Sequence, residues 1–194
     1  MKTLIVYYSY DGNSAVVAEE LKKAADADVL ELKTEDEKVR TGFAKYAWGG
    51  KQVLTHARPK LKPYTVTIED YDRIIIGGPV WAGSPAPALQ SFIAQTRISG
   101  KKLGLFICHG GGKGKAMDKF KALLPGNIIA AEIDFINPAK LDREAVAKQI
   151  AEWVGTLSRQ THEGSEREDG LKMLLKAPTQ YTAFEPEAVF FPQL

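Results

Sequence analysis

Five short runs rich in β-branched and aromatic residues mark out the chain: TLIVYYS (3–9), DVLELK (28–33), DRIIIGGPVW (72–81), KLGLFICHGGG (102–112) and NIIAAEIDFI (127–136). Runs of this length read as strands, and the segments between them carry apolar residues at helical spacing. Strands that alternate with helices pair in parallel, because a parallel pair needs a crossover, and the helices then cover both faces of one sheet. The first helix presents Val17, Ala18, Leu21 and Ala25 on one side, and the last presents Val146, Ile150, Trp153, Val154 and Leu157. Between them, Leu89, Phe92 and Ile93 mark one helix, and Met117, Phe120, Leu123 and Leu124 another. DVLELK alternates apolar with polar residues, which suits an edge strand. In SPAPALQSFIAQ, Ser84 is expected as the N-cap and Pro85 at the first helical position, both favoured there. The expectation is five strands and at least four helices, with a further helix expected within residues 34–64.

Composition narrows the class. With 194 residues, 44% of them apolar and 26% charged, the chain can bury one real core. No apolar run approaches the ~18–20 residues of a membrane span, and MKTLIVYYSY reads as a first strand rather than a leader. The single cysteine, Cys108, forms no internal disulfide and is expected to be a structural residue at the end of a buried strand; a cytoplasmic setting is expected. Net charge is only +2, but residues 38–62 hold seven Lys or Arg and no Asp or Glu, a stretch that suits an anionic partner or cosubstrate. Domain organisation is read as a body, 1–158, and an extension, 159–194. The extension is expected to pack on the body or on a second subunit, as in a homodimer. Without it, 22 basic residues stand against 18 acidic ones, and no nucleic-acid-binding motif accompanies that small excess. The three histidines (56, 109, 162) lack ligand spacing, so no metal site is expected, and Ser84 lacks the setting of a nucleophile elbow.

Chemistry concentrates at three loops: SYDGNS after the first strand, GGPVWAGSP after the third and CHGGGKGK after the fourth. In an open parallel sheet the carboxyl ends of the central strands converge where strand order reverses, and ligands bind there. The first loop suits a phosphate. Gly12 permits close backbone approach, Ser9, Asn13 and Ser14 offer neutral donors, and the following helix turns its free N–H groups and positive dipole end toward an anion. Asp11 is out of place in such a loop unless its side chain turns away to accept an N–H within the turn. Its exchange for Thr is expected to tighten anion binding modestly.

With these three loops in this order, the body resembles the flavodoxin family over residues 1–158, Ser9–Ser14 matching that family's phosphate loop. The resemblance implies an open five-stranded parallel sheet of order 2-1-3-4-5, with FMN at the switch point. It implies cofactor contacts from Ser9, Tyr10, Asp11, Gly12, Asn13 and Ser14, and from Pro79, Val80, Trp81, Ala82 and Gly83. Tyr10 and Asp11 would contribute backbone N–H groups, Trp81 would stack beside the isoalloxazine, and Ala82 or Gly83 would lie near flavin N5. His109, Gly110, Gly111 and Gly112 would offer backbone N–H groups to the pyrimidine edge. Where many relatives carry a second stacking aromatic, this chain has His109 and three glycines, which leaves one flavin face open to a substrate or to the extension. Lys113 and Lys115 read as solvated lysines at a helix start. No catalytic side chain stands out. The functions that follow are an FMN electron carrier between protein partners, or an NAD(P)H-dependent FMN oxidoreductase reducing a quinone or similar acceptor. A third is a flavin-free binding module on the same fold.

Overall fold

The computed structural model describes residues 1–36, 50, 53–55 and 57–158. Strands β1 (Thr3–Tyr8), β2 (Asp28–Leu32), β3 (Arg73–Trp81), β5 (Lys102–His109) and β6 (Ile128–Ile136) pair in parallel in the order β2-β1-β3-β5-β6. A two-residue strand, β4 (Ser84–Pro85), pairs antiparallel with the end of β3 and brings the sheet to six. Leaving β4 aside, the order is the expected 2-1-3-4-5. The helices are α1 (Asn13–Ala25), α2 (Pro87–Thr96), α3 (Ala116–Ala122) and α4 (143–158).

Strand periodicity sorts the side chains into two cores. Leu4, Val6, Tyr8, Ile74, Ile76, Leu103, Leu105 and Ile107 face Leu89 and Phe92 of α2 and Phe120 of α3. On the other face, Ile5, Tyr7, Ile75 and Phe106 meet Val17 and Leu21 of α1 and Val146, Ile150, Trp153 and Leu157 of α4. β1, β3 and β5 are buried along most of their lengths, whereas β2 is exposed over its first residues, as its alternation predicted for an edge. Two glycines make room for aromatic rings. A methyl group at Gly77 would fall within the Phe106 ring, and one at Gly104 would lie 2.9 Å from the Trp153 indole. At the opposite end of the sheet from the three loops, the buried Arg73 donates from Nε to Thr3 Oγ1 and from Nη1 to Ser158 Oγ, both at 3.1 Å.

The expected start of α2 is corrected by two residues. Ser84 and Pro85 are not N-cap and first helical residue but the returning arm of a hairpin, in which Trp81 faces Ser84 and Val80 faces Pro85. Its turn residues, Ala82 and Gly83, have φ of 45° and 66°, the positive values of a two-residue type I′ turn, whose twist matches that of the flanking strands. Ala86 takes the N-cap and Pro87 the first helical position. Either proline satisfies the local preference for that position, and the cross-strand pairing decides between them. Leu123 and Leu124, expected on a helix, follow the last residue of α3. The helix expected within 34–64 falls largely outside the described residues, as does the whole extension 159–194. Of the basic stretch, Arg58, Lys60 and Lys62 are described and exposed.

Candidate functional site

The loop after β1 is held by its own side chains. Ala15 N–H donates to Ser9 Oγ (3.2 Å), and the Asn13 side-chain amide donates to Asp11 Oδ1 (3.0 Å), toward which the Asn13 backbone N–H also points at 3.5 Å. Asn13 Oδ1 in turn accepts from Ala139 N–H (3.0 Å), tying the loop to the turn after β6. Asp11 therefore accepts within the turn, as its place in the sequence suggested. Gly12 caps the helix with φ 85°, and a Cβ there would meet nothing within 4 Å. Ser14 Oγ is buried next to the Cys108 thiol, a weak partner, and has no nitrogen or oxygen partner among the described residues. A buried hydroxyl left unpaired costs about 1–3 kcal/mol, so its presence beside a helix N-terminus points to a ligand that completes it.

The hairpin after β3 carries Trp81, half-buried, with the rings of Tyr8 (5.9 Å, 79°) and Tyr10 (5.6 Å, 86°) set edge-on to it. Such T-shaped pairs fix an aromatic plane. The hairpin's far arm is pinned to α3, where Lys119 Nζ donates to Ser84 Oγ at 2.8 Å.

The loop after β5 is organised around His109. Gly111 N–H donates to Nδ1 (3.1 Å), and Nε2 lies 3.0 Å from Asp134 Oδ2. Lys113 Nζ donates to Asp134 Oδ1 at 2.6 Å. The Lys113 ammonium first, and His109 second, hold the Asp134 carboxyl below the usual carboxylate range. Lys113 is exposed, as expected, and also ties this loop to β6 through Asp134. Burial pushes the Cys108 thiol up to about 12, so it stays a thiol and its part is structural.

These three loops border one cavity of about 340 Å3, within the range of small-molecule and cofactor sites. Of the residues singled out from sequence, Asp11, Asn13, Pro79, Val80, Trp81, Ala82, His109 and Gly110 line it. Ser9, Tyr10, Gly12, Ser14, Gly83, Gly111 and Gly112 belong to the same loops without forming its wall. Gly50, Cys108 and Asn137 line it too, and sequence reasoning had not placed them there. Asn137 had a readable signal. It sits in an Asn-Pro step directly after a strand, and its φ of 46° is the left-handed value that Asn tolerates in turns. Its N–H donates to His109 O at 3.0 Å. No group of His, Cys, Asp and Glu side chains suited to a metal ion occurs among the described residues. The site offers one aromatic wall, a helix N-terminus with an unpaired hydroxyl, and a glycine-rich third loop: elements suited to a planar ring bearing a phosphate.

Comparison with known proteins agrees with this geometry. The model of a family described as Flavodoxin matches residues 2–157. Among solved structures, a flavoprotein from Lactobacillus acidophilus, crystallised in complex with FMN, superposes with a TM-score of 0.63 at 21% identity, over 79% of this chain and 98% of that one. A candidate flavoprotein from Bacteroides eggerthii gives 0.61 at 23% identity, over 79% and 98%. A flavodoxin, WrbA-like protein from Agrobacterium tumefaciens gives 0.52 at 16% identity, over 82% and 98%. At such identities these likenesses are ones of fold.

Proposed function

Because the chain belongs to the flavodoxin family, we propose that it is an FMN flavoprotein that carries electrons between protein partners. The observation that carries this reading is the buried, unpaired Ser14 hydroxyl at the start of α1, at the same end of the sheet as the Trp81-walled cavity. The residues present fit FMN. Ser14, through its hydroxyl and its N–H, and the positive end of α1 would hold the phosphate, with no Lys or Arg in that loop, and Trp81 would flank the isoalloxazine. FMN supplies the redox chemistry. The chain's residues bind and orient it: Asp11 and Asn13 fix the phosphate loop, the 82–83 turn sets the backbone beside Trp81, and His109 holds the third loop.

Charge bears on the partner. Exposed Arg58, Lys60 and Lys62 belong to a stretch without acidic residues, so encounter favours an acidic redox protein. The same stretch supports a second reading, an NAD(P)H-dependent FMN oxidoreductase reducing a quinone-type acceptor, since phosphates of the nicotinamide cosubstrate are anionic. One experiment separates the readings. The protein is saturated with FMN and mixed anaerobically with NADH or NADPH. The carrier leaves the flavin spectrum unchanged for minutes and bleaches only with a reduced protein partner. Bleaching within seconds of adding NAD(P)H identifies the oxidoreductase, and failure to bind FMN at all identifies a flavin-free module.

A further inference from the structure

Both ring nitrogens of His109 are engaged, and the two engagements together fix the state of the ring. A backbone N–H can only donate, so the Gly111 contact at 3.1 Å requires a bare Nδ1. A neutral imidazole then carries its proton on Nε2, aimed at Asp134 Oδ2 3.0 Å away. In the protonated ring Nδ1 is also a donor, and two donors would face each other across that contact. We infer that neutral His109, clamped between Asp134 and the Gly111 N–H, is a positioning residue that locks the third loop in its cofactor-binding form. The inference rests on the FMN reading above and adds to it the group that orders the third loop.

The charged and titratable groups around the ring come from each neighbouring element. Asp134 on β6 attracts a proton to the imidazole. Lys113, on the loop itself, repels one and is already bound to that carboxylate at 2.6 Å. Asp11 lies on the same cavity from the loop after β1. Cys108, next to His109 on β5, remains an uncharged thiol. The ring is buried and lines the cavity while Gly111 is exposed, so the imidazole is a fixed acceptor for an amide that otherwise faces solvent. Gly111 itself has φ 118°, a backbone state for which only glycine is suited. With its acceptor lost, little else in the described residues holds that peptide.

Two substitutions separate positioning from bulk. His109→Asn keeps an oxygen close to the place of Nδ1 and does not titrate. His109→Gln reaches toward the place of Nε2 and leaves Gly111 without an acceptor. FMN dissociation constants would be measured by fluorescence for wild type and both variants at pH 8. The Asn variant is expected to bind roughly tenfold tighter than the Gln variant, the loss of about one hydrogen bond. Equal affinities for the two variants would overturn the inference. Nitrogen-15 NMR of the cofactor-free protein gives an independent reading. The Nε2–H tautomer at pH 8, with a Gly111 amide shift that moves in the Gln variant and not in the Asn variant, supports it. An Nδ1–H tautomer, or a Gly111 amide indifferent to both substitutions, overturns it even if FMN binds. A supporting NMR result in a protein that fails to bind FMN places the failure in the cofactor reading instead.

Discussion

The loops after β1 and after β5 stand on the same side of the sheet and border the same cavity, yet they are held in different ways. The first is stitched by a hydroxyl, a carboxamide and a carboxylate, each bonded to a group a few residues away or to Ala139. The third depends on one chain of ionisable groups, Lys113 to Asp134 to His109, ending at the Gly111 amide. The difference teaches that two loops of one site can be ordered by unlike means, one by short local bonds and the other by an ionic chain that reaches across to β6.

The strongest way to break this comparison is to remove the platform under both loops. Gly77→Ala drives a methyl group into the buried Phe106 ring and is expected to destabilise the fold by about 3 kcal/mol, at the upper end for overpacked cores, as read by urea unfolding. Tolerance below ~0.5 kcal/mol would show that the strands can shift without harm. Next in size, Ser14→Ala acts on the first loop alone. FMN affinity should fall about tenfold, while the cofactor-free protein becomes no less stable, because the substitution removes an unpaired buried hydroxyl.

Asp134→Asn acts on the third loop alone, and its sign depends on pH. Lys113 and His109 depress the carboxyl's pKa in the folded protein, so its stabilisation is present above the unfolded value near 4 and fades as pH falls through the lower folded value. The variant should be roughly 1 kcal/mol less stable than wild type at pH 7, and the two unfolding free energies should converge below about pH 4. The smallest effect sharpens the role of the first loop's carboxylate. Asp11→Asn keeps the oxygen that accepts from Asn13 and removes the charge, so phosphate-bearing FMN should bind about two- to threefold tighter, by titration at low ionic strength. Weaker binding would mean that the charge itself organises the turn.

The central strands and both helical faces were legible because they follow local chemistry: β-branched runs such as Ile74–Ile76 and the spacing of Val146, Ile150, Trp153 and Leu157 have one sensible reading. The hairpin at 80–85 was not, since Ser84–Pro85 and Ala86–Pro87 satisfy helix-start preferences alike and only the pairing of Trp81 with Ser84 separates them. The loop compositions pointed to the cavity, but His109 looked merely like a missing aromatic. Its partner Asp134 is 25 residues away. The β5–β6 register sets His109 beside Ile136, two residues beyond Asp134 and on the same face of that strand. A register of that kind comes from long-range packing around a bulge at Leu103/Gly104, which no local pattern encodes.

The bond from Arg73 to Ser158 spans 85 residues, and it bears on the order of events while the chain is being made. β1 and β3 emerge early, but one face of their sheet waits for α4. The space over Gly104 is filled by Trp153, and the buried guanidinium finds its second hydroxyl only at Ser158. Domains fold as units during synthesis, so this one closes only after residue 158 has left the ribosome. A nascent chain stalled short of that point would present an open apolar face to chaperones.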